Sequence, residues 1–270
     1  MENWLAVLMG VVEGITEFLP ISSTGHLILA GHYSGFSSLV GKEAADAFEI
    51  IIQLGAILAV VAAYPKRFTG LLRFGDNRGL TGFRGLGLLL VTSIPAALLG
   101  LVAHKYIKDH LFNDFTVACA LAAGAVWILA VEYWKPRAKV EGVDNLTWRE
   151  ALLVGLFQCL SLWPGMSRSA STILGGMMSG VERKTATEYS FFAAVPLMIA
   201  ATLYELVKHR EQFYGAHLQT LAIGFVVSFI FAWLAVKFFI HFLSRHTLVP
   251  FGWYRLAVAA GVFWLATRGS

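Results

Sequence analysis

Hydrophobic residues run along this chain in long blocks separated by short polar interruptions, the pattern of helices that cross a lipid bilayer. A spanning helix takes roughly 20 mostly apolar residues, and six blocks qualify: 44–64, 86–103, 115–134, 186–207, 217–243 and 249–267. Two further apolar stretches, 4–33 and 150–181, are broken near their middles. The interruptions read Leu19-Pro20-Ile21-Ser22-Ser23-Thr24-Gly25-His26 and Trp163-Pro164-Gly165-Met166-Ser167-Arg168-Ser169. Proline ends the helix before it and a Ser/Thr run caps a new one, so each stretch predicts helix, loop, helix. Each half is too short to span, and irregular backbone at bilayer depth persists only inside protein or beside a wet cavity. Both stretches are therefore expected to be re-entrant hairpins.

The two broken stretches echo each other: Gly10-Val-Val-Glu13 through Pro20 to Ser23 parallels Gly155-Leu-Phe-Gln158 through Pro164 to Ser167. The order is hairpin and three spans (1–134), a polar linker (135–149), then hairpin and three spans (150–270), within a single membrane domain over 1–270. An odd number of crossings turns the second copy upside down, which predicts an all-α membrane protein of inverted repeats. Chance likeness between two apolar Pro-Ser stretches is the competing reading.

Composition agrees. Of 270 residues, 57% are hydrophobic and 14% charged, against roughly 45–50% and about 25% in soluble domains, and the mean hydropathy is +0.66. The net charge of +4 is small and scattered through short loops, which argues against nucleic acid as a partner. Lys66, Arg67, Arg73, Arg78, Arg84, Lys135, Arg137, Lys139, Arg149, Arg183, Lys184 and Arg245 fall on one side; Lys42, Lys105, Lys108, Lys208, Arg210 and Arg268 fall on the other. The richer side is expected to be cytoplasmic, so the first hairpin opens outward. Met1-Glu2-Asn3-Trp4 lacks the basic stretch of a cleavable signal, so the first apolar segment is expected to stay. Cys119 and Cys159, far apart in apolar runs, indicate neither a disulfide framework nor a thiolate metal site.

Charge inside an apolar block costs roughly 2.5–3.5 kcal/mol for a central Asp, Lys or Arg, yet Glu13, Glu17, Glu49, Glu188, His26 and Arg168 all lie inside such blocks. Glu13 and Glu17, four apart, project from one helix face and repel. A divalent cation removes that repulsion, and Mg²⁺ takes one or two carboxylates, several waters and substrate phosphate oxygens. The Ser22-Ser23-Thr24-Gly25-His26 run suits an anion site and offers a nucleophile, Ser23 or Ser22, with His26 or Glu17 as the base. Arg168 is placed to clamp phosphoryl oxygens, with Ser167, Ser169 and Thr172 as further donors; a structural ion pair with Glu13 or Glu17 is its other reading. Glu49 with Gln53 on one helix face, and Glu188, are equally suited to a supporting shell or to structural hydrogen bonds. Structural bonding likewise stands beside a site role for the Ser, Thr and His side chains. Gly10 and Gly14 form a GxxxG, read as close helix packing. HExxH, Walker and GxGxxG signatures do not occur.

At these residues the chain resembles the undecaprenyl-diphosphate phosphatase family, also called bacitracin-resistance proteins. The resemblance covers nearly the whole chain. It is carried by Glu13-Gly-Ile-Thr-Glu17-Phe-Leu-Pro20-Ile-Ser22-Ser23-Thr24-Gly25-His26, Phe48-Glu49 with Gln53-Leu-Gly55, and Trp163-Pro164-Gly165-Met-Ser167-Arg168-Ser169. It implies removal of the terminal phosphate of a polyprenyl diphosphate lipid, with Mg²⁺ or Ca²⁺ as cofactor. It also implies a multi-pass protein of the bacterial inner membrane whose active site opens to the periplasmic or outer face. Carried over by residue, Glu13 and Glu17 match the acidic pair, Ser23 and His26 the first-hairpin serine and histidine, and Arg168 the phosphate-binding arginine. Ala170 stands where the motif usually has glycine, so its methyl group is expected to reposition the loop from Ser169 onward. A transporter or flippase of polyprenyl phosphate lipids is the rival from another class, a scaffold the third, and association into a homodimer stays open.

Overall fold

The computed structural model describes residues 3–36, 39, 42–75, 78–208 and 218–268. Met1, Glu2, Arg210 and residue 217 of the expected fifth span lie outside the described residues, as do the side chains of Lys42, Lys208 and Arg268. The described residues form helices α1 (Asn3–Thr16), α2 (Ser23–Ser34), α3 (Lys42–Ala63), α4 (Pro65–Leu71), α5 (Gly82–Tyr106), α6 (Asp114–Trp134), α7 (Trp148–Gln158), α8 (Arg168–Met178), α9 (Arg183–Lys208), α10 (Leu218–Leu243) and α11 (Val249–Arg268). Among them the one strand-like pairing is a parallel bridge between Val140 and Val181.

Five helical stretches are long and apolar enough to cross a membrane: Gly82–Leu111, Asp114–Trp134, Arg183–Tyr204, Leu218–Leu243 and Val249–Thr267. A sixth crossing forms if Ala47–Ala63 and Pro65–Leu71 count together across their 88° bend. The expected span at 44–64 thus corresponds to α3, which turns sharply at its end. Pro65 causes the turn: it has no N–H to continue the helix and it drives Tyr64 out of helical conformation, to φ −127° and ψ 51°. Large apolar side chains face outward, among them Val102 at 86% exposure and Leu101 at 71%. Such surface is stable only in a solvent as apolar as itself, and the chain is a multi-pass membrane protein.

Both broken stretches fold as helix, turn, helix. α1 packs on α2 across residues 17–22, and α7, extended by the 3₁₀ turn Cys159–Leu162, packs on α8. The residue before each second helix is a serine in the left-handed region, Ser22 at φ 69° and ψ 106°, Ser167 at φ 75° and ψ 119°. This equates Ser22 with Ser167, so Ser23 matches Arg168 and not Ser167, as the sequence echo alone suggested. The slip arises because proline stands two residues before one serine and three before the other.

The first helix of each broken stretch lies against a long helix of the other half, α1 on α10 and α7 on α5. A Cβ on Gly14 would sit 2.6 Å from the Ser228 carbonyl oxygen of α10, and one on Gly155 the same distance from the Thr92 carbonyl oxygen of α5. Backbones touch at both crossings, which bears out the packing role read for the GxxxG. The linker is an ordered seam: Lys139 N–H donates to Gly180 O at 2.7 Å, Glu182 N–H to Val140 O at 2.9 Å, and Gly142 N–H to Thr185 Oγ1 at 2.8 Å. Asp144 accepts from Arg67 Nη1 (2.8 Å) and from Leu80 N–H (2.9 Å), while Arg84 donates to Leu146 O and Gly79 O. Arg67, Arg84 and Lys139 therefore gather at one end of the bundle, as the loop-charge reading expected.

Candidate active site

The two turns meet in the interior. Glu17 continues the last turn of α1, its N–H bonded to Glu13 O at 2.9 Å, so both carboxylates leave the same side of the helix. Ser23, first residue of α2, donates its hydroxyl to Glu17 Oε2 at 2.7 Å. Arg168, first residue of α8, reaches across with Nη2 3.3 Å from Glu17 Oε1, while Nη1 donates to Ser190 O at 3.1 Å and the guanidinium lies over the Phe18 ring, 5.3 Å from its centre. Ser169 Oγ donates to Leu19 O at 2.7 Å, a second direct bond between the turns.

A cavity of about 190 Å³ lies where they meet, lined by Glu17, Ser22, Ser23, Thr24, Gln53, Ser161, Pro164, Gly165, Ser167, Arg168 and Met198. Its hydroxyls, amide, carboxylate and guanidinium suit a small, highly charged anion more than an apolar ligand. A separate groove of about 360 Å³ has mostly apolar walls, with Val11, Val12, Ile15, Leu29 and Ala30 among its lining residues and His26 and Tyr254 among the polar ones.

Glu17, Ser22, Ser23, Thr24, Ser167, Arg168 and Gln53 thus share one cavity, which Glu13 does not line. Glu13 is buried (2% exposed) and its Oε2 has no hydrogen-bond partner. An orphaned carboxylate oxygen one turn from a second carboxylate fits a hard divalent cation. Among the described residues no group of three His, Cys, Asp or Glu converges, so any such ion would draw its remaining ligands from water and substrate. Gly25, Ser169 and Thr172 do not line the cavity. Gly25 abuts the Leu121 side chain, where a Cβ would come within 2.7 Å, and Thr172 bonds Ser190 Oγ at 2.6 Å and Arg168 O at 2.9 Å. Glu49, one turn before Gln53 on α3, and Glu188 on α9 also stand outside it. Ala170 is fully buried and donates its N–H to Ser167 Oγ at 3.2 Å, beside the Ser169 bond to Leu19 O.

His26 engages neither Ser23 nor Glu17: Nδ1 lies 2.7 Å from Ser22 O and Nε2 2.9 Å from the Tyr254 hydroxyl. Arg255 was not foreseen. It is 0% exposed, and its five N–H groups go to Leu121 O, Pro20 O, Met166 O, Ala120 O and Gly165 O at 3.0–3.2 Å. One guanidinium thereby ties both turns to α6. The cost-of-charge argument that singled out Arg168 applies equally to Arg255, inside the 249–267 block. Glu132 escaped notice in the same way: it is buried at the end of α6, receives Arg183, and accepts Leu248 N–H at 2.7 Å. Tyr254 carries no charge, and nothing in the sequence marks it.

The chain matches the family model "Bacitracin resistance protein BacA" over residues 6–261. A protein of Solidesulfovibrio magneticus named undecaprenyl-diphosphatase is 56% identical over 262 residues, 97% of each chain. Proteins of the same name from Maridesulfovibrio salexigens and Nitratidesulfovibrio vulgaris are 55% and 54% identical, each aligning over 96% of this chain and over 97% and 96% of their own lengths.

Proposed function

The chain belongs to the bacitracin resistance protein BacA family, and from that premise we propose that it hydrolyses undecaprenyl diphosphate to undecaprenyl phosphate and inorganic phosphate in the membrane. The observation that carries the reading is the cavity in which Arg168 of one turn meets Glu17 and Ser23 of the other. The terminal phosphate enters that cavity, and the prenyl chain lies along the apolar groove lined by Val11, Ile15 and Leu29. Glu17 takes the Ser23 proton, Ser23 Oγ bonds to the terminal phosphorus, and the bond from that phosphorus to the bridging oxygen breaks, releasing prenyl phosphate, which leaves with the proton from Glu17. Glu17, a carboxylate again, deprotonates a water that attacks the phosphoserine; the bond from phosphorus to Ser23 Oγ breaks, Glu17 returns the proton to Ser23, and inorganic phosphate leaves. Arg168 turns from Glu17 to the phosphoryl oxygens and offsets the charge that builds during transfer.

Mg²⁺ or Ca²⁺ would be held by Glu13 and Glu17, where the unpartnered Glu13 oxygen supports the assignment, and would neutralise the diphosphate oxygens. The finer architecture belongs to the same proposal: six crossings including the bent α3–α4, two re-entrant hairpins and inverted repeats within one membrane domain. Support comes from the matched serines before α2 and α8 and from the reciprocal packing of α1 on α10 and α7 on α5. The positive-inside rule then sets the arginine-rich seam in the cytoplasm and opens the site to the outer face of the inner membrane.

The test is phosphate release from undecaprenyl diphosphate by the purified protein in detergent, with and without chelator. Detergent leaves no membrane to cross, so a flippase would release nothing. Release that persists unchanged in Glu17→Gln would refute the assignment of the site.

A further inference from the structure

The two turns face the same backbone problem and solve it differently. Ser22 and Ser167 both hold a left-handed conformation that a side chain disfavours, so each needs a brace. At the second turn the brace is local. Four residues on, Ser171 Oγ donates to Ser167 O at 2.9 Å, and the Ser167 hydroxyl itself caps Ala170 N–H. At the first turn the residue four positions on is His26, whose Nδ1 takes the place of that hydroxyl, 2.7 Å from Ser22 O. The Ser22 hydroxyl makes no cap bond and lines the cavity instead.

A carbonyl oxygen only accepts, so Nδ1 carries the ring proton, and in the neutral ring Nε2 is an acceptor. The Tyr254 hydroxyl stands 2.9 Å from Nε2, and the two rings stack at 15° with centres 5.5 Å apart. Both ring nitrogens are therefore occupied, and neither meets Ser23. We propose that His26 is a positioning residue that holds the Ser22 carbonyl, and that Tyr254 is a second one that donates to Nε2 and so ties the imidazole to α11. The proton acceptor for Ser23 is then Glu17 alone. This inference rests on the phosphatase reading and deepens it. It also explains why the first turn uses an imidazole where the second uses a hydroxyl: only the longer side chain reaches α11 and links the turn to it.

Steady-state phosphate release from undecaprenyl diphosphate by the full chain in detergent tests this, for wild type, His26→Ala, His26→Ser and Tyr254→Phe. Misplacing a reacting group costs on the order of 10²-fold, so His26→Ala is expected to lower kcat by about that factor. His26→Ser, which restores the short brace seen at Ser171, recovers at least about tenfold of that loss. Tyr254→Phe removes one oxygen and lowers kcat about fivefold with KM within about twofold. Nitrogen-15 spectra of histidine-labelled protein show His26 as the Nδ1–H tautomer in wild type and in Tyr254→Phe alike, with the Nε2 resonance moved in the variant by the loss of its donor. If His26→Ser is as slow as His26→Ala while Tyr254→Phe turns over at the wild-type rate, His26 is a base and the proposal falls. Should His26→Ala fail to fold, the other two variants and the wild-type spectrum decide. A wild type that releases no phosphate sinks the phosphatase reading itself, a different outcome from either.

Discussion

A hydroxyl becomes a nucleophile when a neighbour can take its proton, and the neighbour Ser23 touches is Glu17. Removing a positioned base typically costs 10²–10⁴-fold, so Glu17→Gln and Ser23→Ala are each expected to lower phosphate release by about that range. The double variant should be scarcely slower than either single one, because the two residues act as a unit. Glu13 belongs to a different step. On the proposed metal assignment its unpaired oxygen would hold a cation, so chelation should abolish wild-type activity and added Mg²⁺ restore it, while Glu13→Gln should raise the Mg²⁺ needed for half-maximal rate by about tenfold or more. A titration of activity against free Mg²⁺ separates the two roles, since a lost base cannot be rescued by more metal. These residues were legible in the sequence because a charge inside an apolar block needs a reason. Tyr254 was not, because an aromatic residue in such a block is ordinary and its partner lies 228 positions away.

Elements were legible where local chemistry decides them, and less so where tertiary contacts do. The two breaks could be read from Pro20 and Pro164 with the serines after them, since proline and capping hydroxyls act within one turn. The bend after α3 was missed, although Pro65 carried the same signal, because the hydrophobic block there was long enough to pass for a complete span. The one-residue offset between the turns was also hidden, because it shows only in backbone conformation at Ser22 and Ser167. Close approach of α1 and α10 gives an element-level prediction. A methyl group on Gly14 would meet backbone on α10 that cannot move aside, at 2.6 Å. Overpacking of that kind costs about 1–3 kcal/mol, so Gly14→Ala should lower the melting temperature in detergent and, by shifting Glu13 and Glu17 with their helix, reduce activity too. Gly31→Ala, where a Cβ meets nothing within 4 Å, is the matched control and should change neither.

At the scale of the molecule, two polar clasps hold opposite halves of the chain together, and they respond to different challenges. At the seam, burial alone would raise the Asp144 carboxyl, but the Leu80 N–H and the Arg67 guanidinium outweigh it and hold the group below the usual carboxylate range. A depressed value stabilises the folded state above the unfolded value and loses that stability as pH falls through the folded one. The wild-type melting temperature should therefore drop more steeply than that of Asp144→Asn below about pH 4, and the two curves should run parallel above it. The interior clasp is Arg255, fully buried within α11. Its five carbonyl partners come from both turns and from α6, so the geometry of the cavity depends on a planar fork that lysine cannot reproduce. Arg255→Lys has at most three donors, and each turn carbonyl among Pro20, Gly165 and Met166 that it leaves unpaired costs about 1–3 kcal/mol, whereas Ala120 and Leu121 lie within α6. Melting in detergent should fall accordingly. Phosphate release should fall further than stability explains, because Pro20 and Gly165 no longer share an anchor and Arg168 drifts from Glu17. Gly124→Ala provides an independent route to the same defect, since its Cβ would occupy the space of the Arg255 Nη2. Wild-type turnover in folded Arg255→Lys would show that the turns position each other without the clasp.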